Sequence, residues 1–350
     1  MENPAVSSPA APGQNRTAPL APRDLGRTAL TVSRIGLGLA ALGRPGYMVL
    51  GHADDLAGGT SPEAMEAHAH AMLDAAWAAG VRYFDTARSY GRGEAFLASW
   101  LAARAIAPGD VVIGSKWGYT YTAEWRVHAE VHEVKEHSLA VLRRQTEESR
   151  ALLGPHLDLY QIHSATLESG VLDNAAVIDE LARLRDGGLR IGLSLTGARQ
   201  RDILRRAVEV ERGGAPVFSA VQATWNLLEP SAGAALAEAR EAGLGVIVKE
   251  ALSNGRLTER NEDPSFAPKL AVLREEAERL ETTLDALAIA AALAQPWADV
   301  VLSGAATPEH LASNLRATNV AWDAEAAARL AELAESPKAY WETRSRLPWS

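Results

Sequence analysis

Four residues of this chain are suited to handling a proton at a carbonyl oxygen: Asp85, Tyr90, Lys116 and His163. A phenol titrates near ~10 in water, so it is a poor proton shuttle at neutral pH unless its surroundings change it. An ammonium beside it favours the phenolate, and a carboxylate behind the ammonium keeps that ammonium charged and in place. An imidazole across the same opening can donate a hydrogen bond to an oxygen on which negative charge develops. The set holds neither an activated nucleophile nor a metal. Its natural use is to manage a proton while something else moves a hydride, which no side chain can supply. Singly, each residue has an ordinary structural use: Asp85 as a turn cap, Lys116 on a rim, His163 in a core, Tyr90 packed on its loop.

The elements that must position these residues can be read from the hydrophobic pattern. Short runs rich in Val, Ile and Leu occur at 34–39, 81–87, 111–116, 157–163, 190–195, 217–223, 245–250 and 299–304, as in strands buried on both faces. Helical segments lie between them. Ser61-Pro62-Glu63 opens one that runs to Gly80; 132–153, 174–186 and 231–242 read as others, and Thr307-Pro308-Glu309 opens the last after the final strand. Eight strands alternating with helices predict a single-domain α/β fold, a (β/α)8 TIM barrel over 23–350. An open doubly wound sheet fits less well: its glycine fingerprint would be 36–41 (GLGLAA), and Gly43, Pro45 and Gly46 would break the helix that should follow. In a barrel, function collects at the C-terminal strand ends. Those ends carry Asp85, Lys116, His163, Ser194, Gln222 and Lys249, with Tyr90 in the loop after Asp85.

Composition narrows the field. The chain has no cysteine, which excludes disulfides, thiol nucleophiles and cysteine-held metals, and fits a cytoplasmic protein. A net charge of −9 without a basic block argues against a nucleic-acid partner. No apolar run approaches a membrane span, and residues 1–22, rich in Pro, Ala and Ser, read as a disordered tail and not a signal peptide.

At the chemistry-bearing residues the sequence resembles the aldo-keto reductase family. The resemblance runs through 84–101 (FDTARSYGRGEAFLASWL), 113–118 (IGSKWG), 159–165 (LYQIHSA), 190–197, 221–229, 244–257 and 300–315 (VVLSGAATPEHLASNL), and covers about 27–320. It implies an NAD(P)(H)-dependent oxidoreductase that interconverts a carbonyl (aldehyde, ketone or sugar) and an alcohol. By the same resemblance Tyr90 is the general acid/base, Lys116 and Asp85 tune it, and His163 orients the substrate carbonyl. Ser194 and Gln222 would hold the nicotinamide carboxamide, with Lys249 beside them. The turn Gly304, Ala305, Ala306, Thr307 and Asn314 would bind the adenosine phosphate, where the helix opened by Thr307 offers free N–H groups.

The chain departs from the family pattern at three places. Leu195 stands for an Asn, Lys249 for an aromatic followed by Glu250 for a small polar residue, and Gly304, Ala306 and His310 stand where NADP-using members carry cations. NAD and NADP both remain open, with a push toward NAD. Two other functions are consistent with parts of the sequence: a Schiff-base lyase using Lys116 or Lys249 in a chain with only five lysines, and a non-catalytic dinucleotide-binding protein. His128 and His132, spaced as on one helix face, are the only metal pair worth weighing and lack the rest of a zinc motif, so no metal is expected. The run 274–281 reads as a solvated helix face, and Trp117, Tyr119, Trp125, Trp225 and Trp341 as candidate pocket walls. The expected partner is a small carbonyl or alcohol; oligomeric state is not legible.

Overall fold

The computed structural model of the chain describes residues 20–56 and 59–350. All eight expected strands form, most of them trimmed at their ends: β1 Ile35–Gly38, β2 Tyr83–Asp85, β3 Val112–Trp117, β4 Leu157–Ala165, β5 Arg190–Leu195, β6 Ala220–Thr224, β7 Gly245–Lys249 and β8 Val300–Ser303. Each pairs in parallel with the next, and β8 returns to β1 to close the barrel. The strand side chains that point inward, among them Tyr83, Leu159, Ile247 and Val300, form one fully buried cluster in the lumen. Those that point outward join the larger core under the surrounding helices, which includes Leu193, Val221 and Val246. Burial on both faces explains why the strands read as unbroken apolar runs.

The lumen is closed at the N-terminal end by an antiparallel hairpin, Pro22–Asp24 with Thr31–Ser33. The hairpin carries Leu25 and Leu30 from its turn and Val32 from its second strand into the lumen cluster. Gly26, at φ 54°, lies so close to β7 that a Cβ would stand 2.2 Å from the Gly245 amide nitrogen. Most of the tail expected over 1–22 lies outside the described residues; Pro22 itself pairs with Ser33.

Three local expectations are corrected. The helix expected over 132–153 spans only Leu139–Leu153, with the Ser138 hydroxyl accepting from the Val141 amide. Glu133–Lys135 is instead a strand paired with Tyr119–Tyr121, and the helix waits for Ser138, whose side chain caps it. With that helix gone, His128 and His132 do not share a helix face; His132 stacks on Trp349 at 4.0 Å and bonds the Val127 carbonyl at 2.9 Å. The run 274–281 is not a uniformly solvated face either. Glu276 in helix Ala267–Arg279 is fully buried and paired with Arg279 and Arg329.

Candidate active site

The loop after β2 is pinned on three sides, which fixes where Tyr90 stands. The Thr86 amide donates to the Gly114 carbonyl at 2.8 Å, the Arg88 amide to Lys116 at 3.0 Å, and the Arg92 amide to Gly43 at 2.7 Å. The last contact brings the β1 loop against the β2 loop with no room for side chains between them. A Cβ on Gly43 would stand 2.2 Å from the Tyr90 carbonyl oxygen, and one on Gly91, at φ 57°, would stand 2.5 Å from that of Gly43. Helix Gly93–Ala103 then begins immediately, which leaves the Tyr90 ring facing the barrel mouth.

Asp85, Tyr90, Lys116 and His163 come together as their order along the strands requires. Lys116, on β3 with a fully buried side chain, ion-pairs with Asp85 at the end of β2. Its ammonium also donates to the Thr86 carbonyl at 2.9 Å and stands 3.4 Å from the Tyr90 hydroxyl. Asp85 Oδ2 accepts from Gln222 at 2.7 Å and from Tyr83 at 3.4 Å. The His163 ring, on β4, meets the Tyr90 ring edge-on at 5.6 Å. Its Nδ1 faces the Ser89 hydroxyl at 3.4 Å, and its carbonyl accepts from His137 Nε2 at 2.8 Å.

Burial dominates the titration of this group. It pushes the Tyr90 phenol well above its ordinary value, and the Asp85 carboxylate pushes the same way while Arg44 opposes. The Lys116 ammonium is itself held by Asp85 and by the Thr86 carbonyl. Burial, reinforced by Lys116 and Arg44, drives the His163 imidazole far below its usual range, so it is neutral at pH 7. The site therefore holds a protonated phenol and a neutral imidazole.

A cavity of about 740 Å³ opens over these residues and continues to the region of β8 and its helix. Asp85, Tyr90, His163, Ser194, Gln222, Lys249, Gly304, Ala305, Ala306 and Asn314 line it. Lys116 lies behind its wall and Thr307 beside it, where the Thr307 hydroxyl caps helix Pro308–Leu315 by accepting from the His310 amide at 3.2 Å. Ser194 accepts from the Ser164 amide at 2.8 Å. Asn314 joins Ser303 (2.8 Å) to Asp285 (2.7 Å). None of Trp117, Tyr119, Trp125, Trp225 and Trp341 lines the cavity: Trp117 is wholly buried, Trp225 packs on Trp297, and Trp341 covers Lys249 at 5.9 Å.

Sequence reasoning missed several charged residues of this wall. Arg44, in the β1 loop, bonds Glu133 at 2.9 Å and lies 5.2 Å from the Tyr90 ring centroid. Arg344, from helix Pro337–Ser345, clasps Glu250 through two nitrogens, at 2.9 Å and 2.5 Å. Burial would raise the Glu250 carboxyl, but Arg344 and Lys249 outweigh it and hold it at about 2. Asp285, Arg260 and Arg274 line the part of the cavity near β8. Arg260 pairs with Asp55 and Arg274 with Glu259. These partners are 89 to 205 residues apart for Arg44–Glu133, Arg344–Glu250 and Arg260–Asp55, so only the fold could reveal them.

The family model described as the Aldo/keto reductase family matches residues 34–335. The chain belongs to that family. It is accordingly an NAD(P)-dependent oxidoreductase acting on small carbonyl compounds, which decides against the lyase and the silent binder. Among curated relatives, a pyridoxal 4-dehydrogenase of Microbacterium luteolum is 30% identical over 217 residues, which span 53% of this chain and 58% of that protein. Aldo-keto reductase str7 of Strobilurus tenacellus is 25% identical and covers 94% of this chain and 96% of its own. An aldo-keto reductase of Bacillus halodurans, solved in its holo form, superposes with a TM-score of 0.69 at 20% identity, covering 91% of this chain and 97% of its own; that likeness speaks to the fold. No helix among the described residues is long and apolar enough to cross a membrane.

Proposed function

We propose that this reductase interconverts a carbonyl and an alcohol with Tyr90 as the group that gives and takes the proton. The observation that carries the reading is the arrangement at one cavity of a protonated phenol, an ammonium 3.4 Å from its hydroxyl, and a neutral imidazole against its ring. In the reducing direction Tyr90 donates its proton to the carbonyl oxygen as negative charge builds there, and the neighbouring Lys116 ammonium stabilises the phenolate left behind. Asp85 keeps Lys116 in place. His163 orients the oxygen: in the tautomer whose Nδ1 accepts from the Ser89 hydroxyl, the ring proton sits on Nε2 and can be given to the substrate. The high resting pKa of Tyr90 keeps the proton on the phenol, which suits it to begin as donor.

A nicotinamide dinucleotide supplies or accepts the hydride when bound. The residues present fit such a group. Gly304 faces open space, with nothing within 4 Å of the place a Cβ would take, and the adjoining helix N-terminus leaves backbone N–H groups for a phosphate. Ser194 and Gln222 would hold the carboxamide, and Gly304, Ala305, Ala306 and Asn314 the adenosine side. NAD is the better match. The cations near β8, Arg260 and Arg274, are taken by Asp55 and Glu259, while Asp285 offers a carboxylate that would accept from a ribose hydroxyl and repel a 2′-phosphate.

The reading is tested by titrating the protein with NADH and NADPH, following tryptophan fluorescence, and then offering the saturated protein a panel of aldehydes. Tighter NADH binding with oxidation of NADH by an aldehyde is expected. Binding of neither dinucleotide would overturn the functional reading, and a preference for NADPH would overturn the cofactor assignment alone.

A further inference from the structure

Around Tyr90 the cavity gathers four cations, Lys116, Arg44, Arg344 and Lys249, against three carboxylates. Lys116 pairs with Asp85, Arg44 with Glu133, and Arg344 with Glu250. Lys249 is the fourth, and it shares Glu250 with Arg344. Its closest contact is a neutral hydroxyl, Thr224 Oγ1 at 2.7 Å, and it lies 3.5 Å from Glu250 Oε1, an oxygen that Arg344 already holds. An ammonium has three protons to give, and this one, on a side chain only 16% exposed, has one short partner and a face on the cavity. Withdrawing it from water with only a shared anion costs free energy, and the cost shows: burial, helped by Arg344 and Lys116 against Glu250, brings it down to about 8.

The strand does not depend on a charge there: β7 pairs on both sides through its backbone, and the ammonium lies over the Trp341 ring at 5.9 Å. The site is also within electrostatic reach of the proton-handling group. Lys249 is one of the charges acting on His163, and its neighbour Glu250 acts on Tyr90. Tyr90, His163 and Lys249 line one cavity, so a molecule held between the first two shares its space with the ammonium.

We propose that the substrate carries an oxyanion, with a carboxylate as the simplest group matching one surplus charge, and that Lys249 binds it while the reacting carbon faces Tyr90. The inference rests on the carbonyl–alcohol reading above and narrows its substrate class to acidic aldehydes, ketones or the corresponding hydroxy acids. Arg344 is a positioning residue here: by holding Glu250 through two nitrogens it leaves Lys249 only a 3.5 Å share of that carboxylate.

The experiment compares 4-oxobutanoate with butanal, which share their chain length and differ in charge, for the wild type, Lys249→Met and Lys249→Arg. A second arm follows tryptophan fluorescence of the dinucleotide-saturated protein on addition of succinate, a probe that needs no turnover. The wild type is expected to prefer 4-oxobutanoate in kcat/KM. Lys249→Met should lower the ratio of the two values about tenfold or more, mainly through KM for the acid, and should weaken succinate binding by a similar factor. Lys249→Arg should restore much of the ratio. Equal losses on both aldehydes, or an effect confined to NADH affinity with the ratio unchanged, would overturn the proposal, the latter by assigning Lys249 to the cofactor. If butanal is reduced but the acid is not preferred and succinate does not bind, this inference fails and the carbonyl–alcohol reading stands. If neither aldehyde is reduced, that reading is at fault, and the succinate arm decides whether Lys249 binds an anion.

Discussion

Lys116 and Tyr90 meet at 3.4 Å, ammonium to hydroxyl, with the ammonium already anchored on Asp85 and on the Thr86 carbonyl at 2.9 Å. The lysine is thus fixed before any substrate arrives, and in the proposed mechanism the phenol is the partner that gives up its proton. Removing that proton while keeping the ring separates chemistry from packing. Tyr90→Phe is expected to lower kcat by about 10²–10⁴, the usual worth of a general acid, while the NADH dissociation constant stays within a few-fold. Steady-state rates and a fluorescence titration of one preparation check both halves. A variant that retains the wild-type rate removes Tyr90 from the mechanism.

The Lys116–Asp85 pair is buried on both sides, with side chains 0% and 3% exposed. Lys116→Met would strand the Asp85 carboxylate with only the Gln222 amide at 2.7 Å and weaker contacts to Tyr83 and Gln161. Stranding one member of a buried pair costs about 3–5 kcal/mol, so a large drop in the denaturation midpoint is expected together with loss of turnover. Lys116→Met combined with Asp85→Asn should recover much of the stability and none of the rate. Recovery of both would mean that the pair serves the fold alone.

Much of this was legible in the sequence because strand ends are a one-dimensional code. Once eight apolar runs were counted, the residues closing them, from Asp85 to Lys249, had to share one mouth. The helix starts at Ser61 and Thr307 were equally local, each a side-chain cap followed by proline. What could not be read was anything made by two distant segments. Glu133 looked helical because its neighbours mix apolar and charged residues, yet pairing with Tyr119–Tyr121 turns it into a strand that delivers its carboxylate to Arg44. Arg344 sits 94 residues from Glu250 and no pattern in either segment marks the other. The aromatic residues misled for the opposite reason: size and type suggested pocket walls, but packing demand took Trp117 and Trp225 into the core.

The close approach of the β1 and β2 loops makes a backbone prediction. Gly43→Ala would force a methyl carbon to within 2.2 Å of the Tyr90 carbonyl oxygen, so the Tyr90 loop must move. A shift of about 1 Å in a catalytic group commonly costs about 10²-fold in rate. The variant is expected to retain its circular dichroism spectrum and lose kcat to that order, with NADH binding retained. An unchanged kcat would show that the loop tolerates the displacement and that Tyr90 is placed by other contacts.

Glu250 links the C-terminal helix to the mouth, and its carboxyl is held at about 2 against an ordinary 4.5. A carboxyl whose folded value is depressed binds its proton more readily when unfolded, so its contribution is fully present above pH ~4.5 and is lost as pH falls toward 2. Replacing it by the neutral Glu250→Gln removes the contribution at every pH and leaves Arg344, only 20% exposed, without its carboxylate. At neutral pH the variant is expected to be less stable by about 3 kcal/mol, the lower end for breaking a largely buried pair. The difference from wild type should stay constant from pH 7 to 5 and shrink below pH 4.5. Urea denaturation of both proteins at pH 7, 5, 4 and 3 measures it directly. A gap that persists undiminished at pH 3 would mean that Glu250 acts through its shape and hydrogen bonds, not through its charge on Arg344 and Lys249.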